Sequence, residues 1–308
     1  MKYSVLLLMA MILCSCQSQK DCIEEIEVVD THIHFYDPAR PGGVAWPPKT
    51  DSVLYKGHYP KNFNEVARQH NIKATVIVEA SDHHKDNKWL LDITKNEKCQ
   101  YTGIVGNLAV GSSHFDKQLA ELCEDPRFVG LRVRPRNDYP YFTPKFMKDL
   151  KTLAAKGKTL DILMVGIDLP GVAKIAKAVP NLKILINHVS GLPLDEVNAV
   201  NAKWKKQIAE VAKYPNVHCK ISGLYERVNY PWAPTDLVFY KACLDTIVEN
   251  FGEDRIIYGS NWPVLNRYGS YTQYKSLLMD FCKQYDYEFA EKFLQKNAIK
   301  FYNLPELK

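Results

Sequence analysis

The sequence predicts one (β/α)8 barrel. Three observations carry that prediction. Eight short apolar runs, most of them rich in Val and Ile, recur along the 308 residues. Helical patterns fall between them, which is the rhythm of parallel strands covered on both faces. The first run is not followed by the Gly-rich phosphate loop that usually opens a doubly wound open sheet. Eight such units in roughly 260 residues are the count of a barrel.

The strand-like runs are 26–33, 72–80, 101–109, 128–133, 160–167, 182–188, 217–222 and 255–260. Helical spacing follows in 63–70, 88–96, 115–122, 145–156, 172–179, 200–214 and 237–251, and two further helices come after the eighth run. In 145–156, Phe146, Leu150 and Leu153 mark an apolar stripe with lysines between them. The connection after the first strand, 35–61, is long and holds Pro41-Gly42-Gly43 and Pro47-Pro48. It reads either as a substrate lid or as a rigid surface crossing.

The first segment stands apart from the barrel. Lys2 precedes an apolar run from Val5 to Leu13, too short to span a bilayer, and Leu13-Cys14-Ser15-Cys16 follows. That ending resembles the lipobox of bacterial lipoproteins. The resemblance implies cleavage after Ser15 and lipid attachment to Cys16, with a plain secretory signal as the alternative. The expected organisation is a signal over 1–15, a tether over 16–25 and a barrel over 26–308, on an exported lipoprotein of the cell envelope. Of the eight cysteines, six remain after Cys14 and Cys16, with no Cys-x-x-Cys spacing, so a zinc ribbon or redox motif is not expected. Net charge is +5, and 24% of residues are charged with the lysines scattered, so no nucleic-acid surface is expected. Oligomeric state is not readable from the sequence.

Chemistry concentrates at strand ends. Asp30-Thr31-His32-Ile33-His34 closes the first run, and alternate residues of a strand share a face, so His32 and His34 project together. Asn187-His188 ends the sixth run and precedes Ser190-Gly191. Three imidazoles at one rim can hold a metal, orient water or polarise a carbonyl. Arg132 and Arg134 alternate on the fourth run, where guanidinium groups suit a carboxylate or a diol. One such arginine could instead pair with a nearby carboxylate and keep the mouth charge-balanced. Lys220 ends the seventh run, where it could polarise a carbonyl, and Trp262 and Tyr225 could face a sugar ring or pack the rim. His83 and His84 read as a solvated loop, and His58, His70, His114 and His218 have no supporting context.

The last block is Phe251-Gly252-Glu253-Asp254-Arg255-Ile256-Ile257-Tyr258-Gly259-Ser260-Asn261-Trp262-Pro263. With Asp30-Thr31-His32-Ile33-His34, Val129-Gly130-Leu131-Arg132, Asn187-His188 and Asn216-Val217-His218-Cys219-Lys220-Ile221-Ser222-Gly223-Leu224, it resembles the amidohydrolase-related family, in the branch of sugar and dicarboxylate lactonases. The resemblance covers residue 28 to the C-terminus. It implies a metal-dependent-hydrolase-like barrel and a hydrolase working through His32, His34, His188 and residue 261. It also implies one divalent metal, zinc, on the three histidines, or none, because some lactonases of the branch need no metal.

One position departs from that pattern. The family has Asp where this chain has Asn261, and an amide neither accepts a proton at neutral pH nor ligates like a carboxylate. Another group could then be the base: a histidine of the trio, Glu79 or Glu226. Alternatively, Asn261 only positions water, or the site binds without turnover. The expected activity is opening of a small sugar-acid lactone, with Arg132, Arg134, Lys220 and Trp262 contacting substrate. The alternatives are a catalytically silent sugar-acid-binding barrel and a decarboxylase of the same family.

Overall fold

A computed structural model describes residues 22–81, 83–97, 100–133, 141–163 and 168–307. Eight parallel strands pair in chain order: β1 Val28–Ile33, β2 Ile72–Val78, β3 Tyr101–Gly106, β4 Phe128–Val133, β5 Thr159–Ile162, β6 Ile184–Ile186, β7 Val217–Ile221 and β8 Ile256–Tyr258. β8 returns to β1 just past the strand ends. There Asn261 N–H donates to the His32 carbonyl and His34 N–H to the Trp262 carbonyl, each at 2.8 Å. These two bonds close the ring at the point where the site residues leave it.

The helices are α1 Pro60–Gln69, α2 Lys85–Ile93, α3 Phe115–Leu122, α4 Pro144–Ala155, α5 Leu169–Ala178, α6 Ala202–Val211, α7 Leu237–Phe251, α8 Tyr271–Cys282, α9 Tyr287–Glu291 and α10 Asn297–Tyr302. Their starts are chemically specified. Thr143, Asp168, Asn201, Asp236, Ser270 and Asp286 each accept a backbone N–H of the first turn with the side chain. Among the described residues, no helix is long and apolar enough to cross a membrane.

Strand alternation divides the core in two. One face, including Leu160, Ile162, Cys219 and Ile221, packs under the helices. The other, including Val29, Val76, Val105, Val129, Leu185 and Ile257, fills the bore, together with Phe301, Tyr302 and Leu304 at the C-terminal end. The long β1 connection is tied down by an antiparallel bridge between Tyr36 and His58 and by an Asp51–Arg267 ion pair. Cys219, Cys243 and Cys282 are buried free thiols, so they serve as packing. Cys16 and Arg134 lie outside the described residues.

Candidate active site

The three histidines meet. The His32 ring centroid lies 5.0 Å from His34 and 4.4 Å from His188. His32 and His34 reach the same side because β1 alternates, and Asp30 holds the strand end. Its carboxylate accepts from the His32 and Ser260 backbone N–H groups and from the Tyr271 hydroxyl. His188 leaves β6 on a turn in which His188, Val189 and Ser190 all take positive φ, 53°, 44° and 63°. For β-branched Val189 that conformation is strained, and the surrounding packing must impose it. The ring then sits against Gly223. A Cβ there would lie 2.6 Å from His188 Nδ1, so only glycine leaves room for the ring.

Asn261 takes φ 65°, a left-handed conformation that Asn and Asp tolerate better than other side-chain-bearing residues. Its amide bridges two titratable groups. Oδ1 lies 3.2 Å from His34 Nε2, and Nδ2 donates to Glu226 Oε1 at 2.8 Å. His34 Nδ1 donates to the Val78 carbonyl at 2.8 Å. The bridge can therefore be built in two ways. In one, His34 carries both ring protons and Glu226 is ionised. In the other, the amide is turned, Nε2 accepts from it, and Glu226 carries the proton. Both hold the same number of protons. Burial pushes the Glu226 carboxyl up to about 7, although the Asn261 hydrogen bond and the charges of Arg227 and Arg267 pull it down.

A cavity of about 300 Å3 opens above these groups. It is lined by His34, His188, Asn261, Glu226, Arg132 and Arg227, with Trp46, Leu163, Val264, Arg267 and Tyr268 completing the wall. Burial and neighbouring cations hold the His32 and His188 rings well below the usual imidazole range, so both are neutral at neutral pH. Arg132 is tied to Glu79, its Nε 2.6 Å from Oε1, which takes Glu79 up as a charge partner.

Several expected contacts are placed elsewhere. Lys220 is fully buried beneath His32. Its ammonium reaches Asp161 Oδ2 at 3.0 Å, the Thr31 carbonyl at 2.8 Å and the Tyr302 hydroxyl at 3.1 Å, and it does not line the cavity. Trp262 is buried and packs on Phe35, His58 and Phe63. Tyr225 packs on Tyr240 and Tyr274. His83 and His84 are exposed. The sequence reading missed Trp46, Arg227, Arg267 and Tyr268. The one available signal was their position in the segments that follow strands 1, 7 and 8, the end where barrel sites are built.

The lone pairs decide the fit to zinc. The three N–H groups of Lys220 go to Thr31, Asp161 and Tyr302, yet its cationic Nζ still lies 3.4 Å from His32 Nδ1; a ring N–H aimed at that charge would be repelled, so Nδ1 is the unprotonated nitrogen and Nε2 carries the N–H. His34 Nε2 is engaged by the Asn261 amide in either arrangement, whereas His188 is bonded to Ser222 Oγ through Nδ1 at 2.9 Å, which leaves its Nε2 clear of that bond. Two of the three rings, His32 and His34, therefore offer no unengaged lone pair. Among the described residues, no group of three or more His, Cys, Asp or Glu side chains is disposed to hold a metal ion. The site residues do not fit the zinc that the resemblance implied, and no step below runs through it.

An eight-stranded parallel barrel with imidazoles, a carboxylate and guanidinium groups at the carboxyl ends of its strands defines a hydrolase-type barrel. The particular family is shown by sequence: residues 29–304 match the Amidohydrolase family model, and the chain belongs to that family. A relative from Burkholderia ambifaria, named L-fucono-1,5-lactonase, is 28% identical over 264 residues, covering 83% of this chain and 87% of its own. A zinc-bound amidohydrolase from Burkholderia multivorans superposes with a TM-score of 0.82 at 22% identity, covering 91% of this chain and all of its own. The 5-carboxyvanillate decarboxylase of Sphingomonas paucimobilis has a TM-score of 0.63 at 11% identity, again covering 91% and 100%. At these identities the two structures establish the fold.

Proposed function

We propose that this amidohydrolase opens a small sugar-acid lactone by water attack on the ring carbonyl. The observation that carries the reading is the His32 ring. It is fully buried at the site, with Nε2 lacking a hydrogen-bond partner among the described residues and bearing a proton by virtue of Lys220. A neutral N–H fixed in a dry site is suited to a carbonyl oxygen that gains negative charge as water adds. The cavity volume lies at the small end of ligand sites and suits a single sugar-sized ring. The relatives named lactonases support the same reaction class.

In this reading His32 polarises the carbonyl and His188, held by Ser222, stands beside it. Asn261 positions the water, and Arg132 and Arg227 orient ring hydroxyls and the nascent carboxylate. The test is a panel of aldonolactones followed by base uptake, with His188→Ala as control. Turnover that falls roughly 10²–10⁴-fold in the variant supports the reading. Carbon dioxide release from a carboxylated aromatic, with no lactone opened, replaces it with the decarboxylase. Sugar-acid binding without turnover replaces it with the silent barrel. We further propose that Cys16 carries a lipid anchor that holds the barrel at the cell envelope. Cys16→Ala should then move the protein from the membrane to the soluble fraction, and an unchanged distribution would refute anchoring.

A further inference from the structure

We infer that Glu226 is the water-activating carboxylate of this site, standing in for the acid that residue 261 lacks and held in place by the Asn261 amide. The inference rests on the lactonase reading and adds the residue that reading leaves unnamed.

The geometry carries it. Glu226 lines the cavity in the turn after β7, beside Asn261 in the turn after β8. One carboxylate oxygen, Oε1, is fixed by the Asn261 amide at 2.8 Å. The other, Oε2, is buried and lacks a hydrogen-bond partner among the described residues. A carboxylate oxygen left unbonded in the interior is costly, and a bound water would satisfy it. Other carboxylates near the barrel mouth are tied to partners. Glu79 is paired with Arg132, Asp51 with Arg267, and Asp30 accepts from three donors. Asn261 is then a positioning residue, and the substitution that removes the family acid supplies the N–H that holds its replacement.

The step balances without a co-reactant. Water gives a proton to Glu226 Oε2 while its oxygen bonds to the lactone carbonyl carbon. The carbonyl electron pair moves to oxygen, where His32 Nε2–H receives it. Collapse breaks the ring C–O bond, and the departing alkoxide takes the proton back from Glu226. The product hydroxy acid releases its own proton to solvent.

Burial places the carboxyl near the working pH, where a general base is most effective. The groups facing it are Arg227 on its own turn, Arg267 and Asn261 from the β8 side, the hydroxyls of Tyr225, Tyr240 and Tyr274, and His34 across the amide.

The experiment compares kcat and its pH profile for the full chain, Glu226→Gln, Glu226→Ala with and without formate, and Glu226→Gln combined with Asn261→Asp. The thermal melt of each variant is the check on folding. The expected result is a loss of roughly 10²–10⁴-fold in kcat for Glu226→Gln without a lower melting temperature. Formate should partly restore Glu226→Ala, and the carboxylate introduced by Asn261→Asp should partly restore the double variant. Wild-type kcat should rise with pH through about 7, and that limb should vanish in Glu226→Gln. Wild-type turnover with a Glu226→Gln kcat within fivefold overturns this inference alone. A folded wild type that opens no lactone overturns both the inference and the lactonase reading.

Discussion

Two carboxylates near the histidines, Asp161 and Glu226, differ in what surrounds them. Asp161, in the bore below His32, is engaged on both oxygens, by Lys220, by the Tyr302 hydroxyl and by the Asn187 amide. Glu226, at the mouth, is engaged on one oxygen and open on the other. Burial alone therefore does not mark a functional acid. A closed set of partners marks a structural charge, and an unpartnered oxygen on a carboxylate of the cavity wall marks one with bonding capacity left for a reactant.

The largest expected effect breaks the closed half. Lys220→Met leaves Asp161 buried without its cation and should cost about 3–5 kcal/mol in denaturant unfolding, while Lys220→Met with Asp161→Asn should recover most of it. A single variant with wild-type stability would show that the two acids do not differ in kind.

Next comes the wall between the halves. Gly223 has φ +60°, and its missing Cβ makes space for His188. Gly223→Ala should displace that ring and lower kcat about 100-fold, more than it affects stability. A larger loss of stability than of rate would assign Gly223 to folding instead.

A smaller effect separates the acids by pH. The folded Glu226 carboxyl sits near 7, above its unfolded value, so the folded state holds the proton more tightly. Its contribution is most favourable below the unfolded value and is lost as pH rises through about 7. Between pH 5 and 8 this should remove about 2 kcal/mol of stability, and Glu226→Gln should abolish that dependence. Stability that instead rises over the same interval in the wild type but not in the variant would reverse the assignment. The smallest expected effect is that of a chelator. Activity should stay within twofold after treatment, because His32 Nε2 carries an N–H in place of a lone pair, and a collapse of activity restored by zinc would overturn that tautomer.

The sequence makes the barrel legible because its signal is local. All eight strands fall within the expected runs or one residue outside them. The run 182–188 overshoots at both ends: β6 keeps only Ile184–Ile186, and at the far end the chain turns left-handed at His188. The histidine trio is legible for a related reason, since strand alternation and strand order place it. Lys220 is not. Its place at a strand end suggests the cavity, but its partners come from β5 and from the end of the chain, and no local pattern announces them. Glu226 is legible as a candidate. What separates it from Glu79 is that Arg132 lies against one and Asn261 against the other, a fact of tertiary contact.

The last helix has a consequence for how the site comes into being. α10 brings Tyr302 against Asp161 and Lys220, while Lys183 grips the carbonyls of Lys300 and Phe301 and the Asn303 side chain. The ammonium that fixes the His32 proton is itself oriented by a residue made some eighty positions later. A chain clipped before α10 would still contain every residue that faces the cavity, yet it would lack the keystone that sets which nitrogen of His32 donates. Chemical competence is in this way made to wait for completion of the polypeptide.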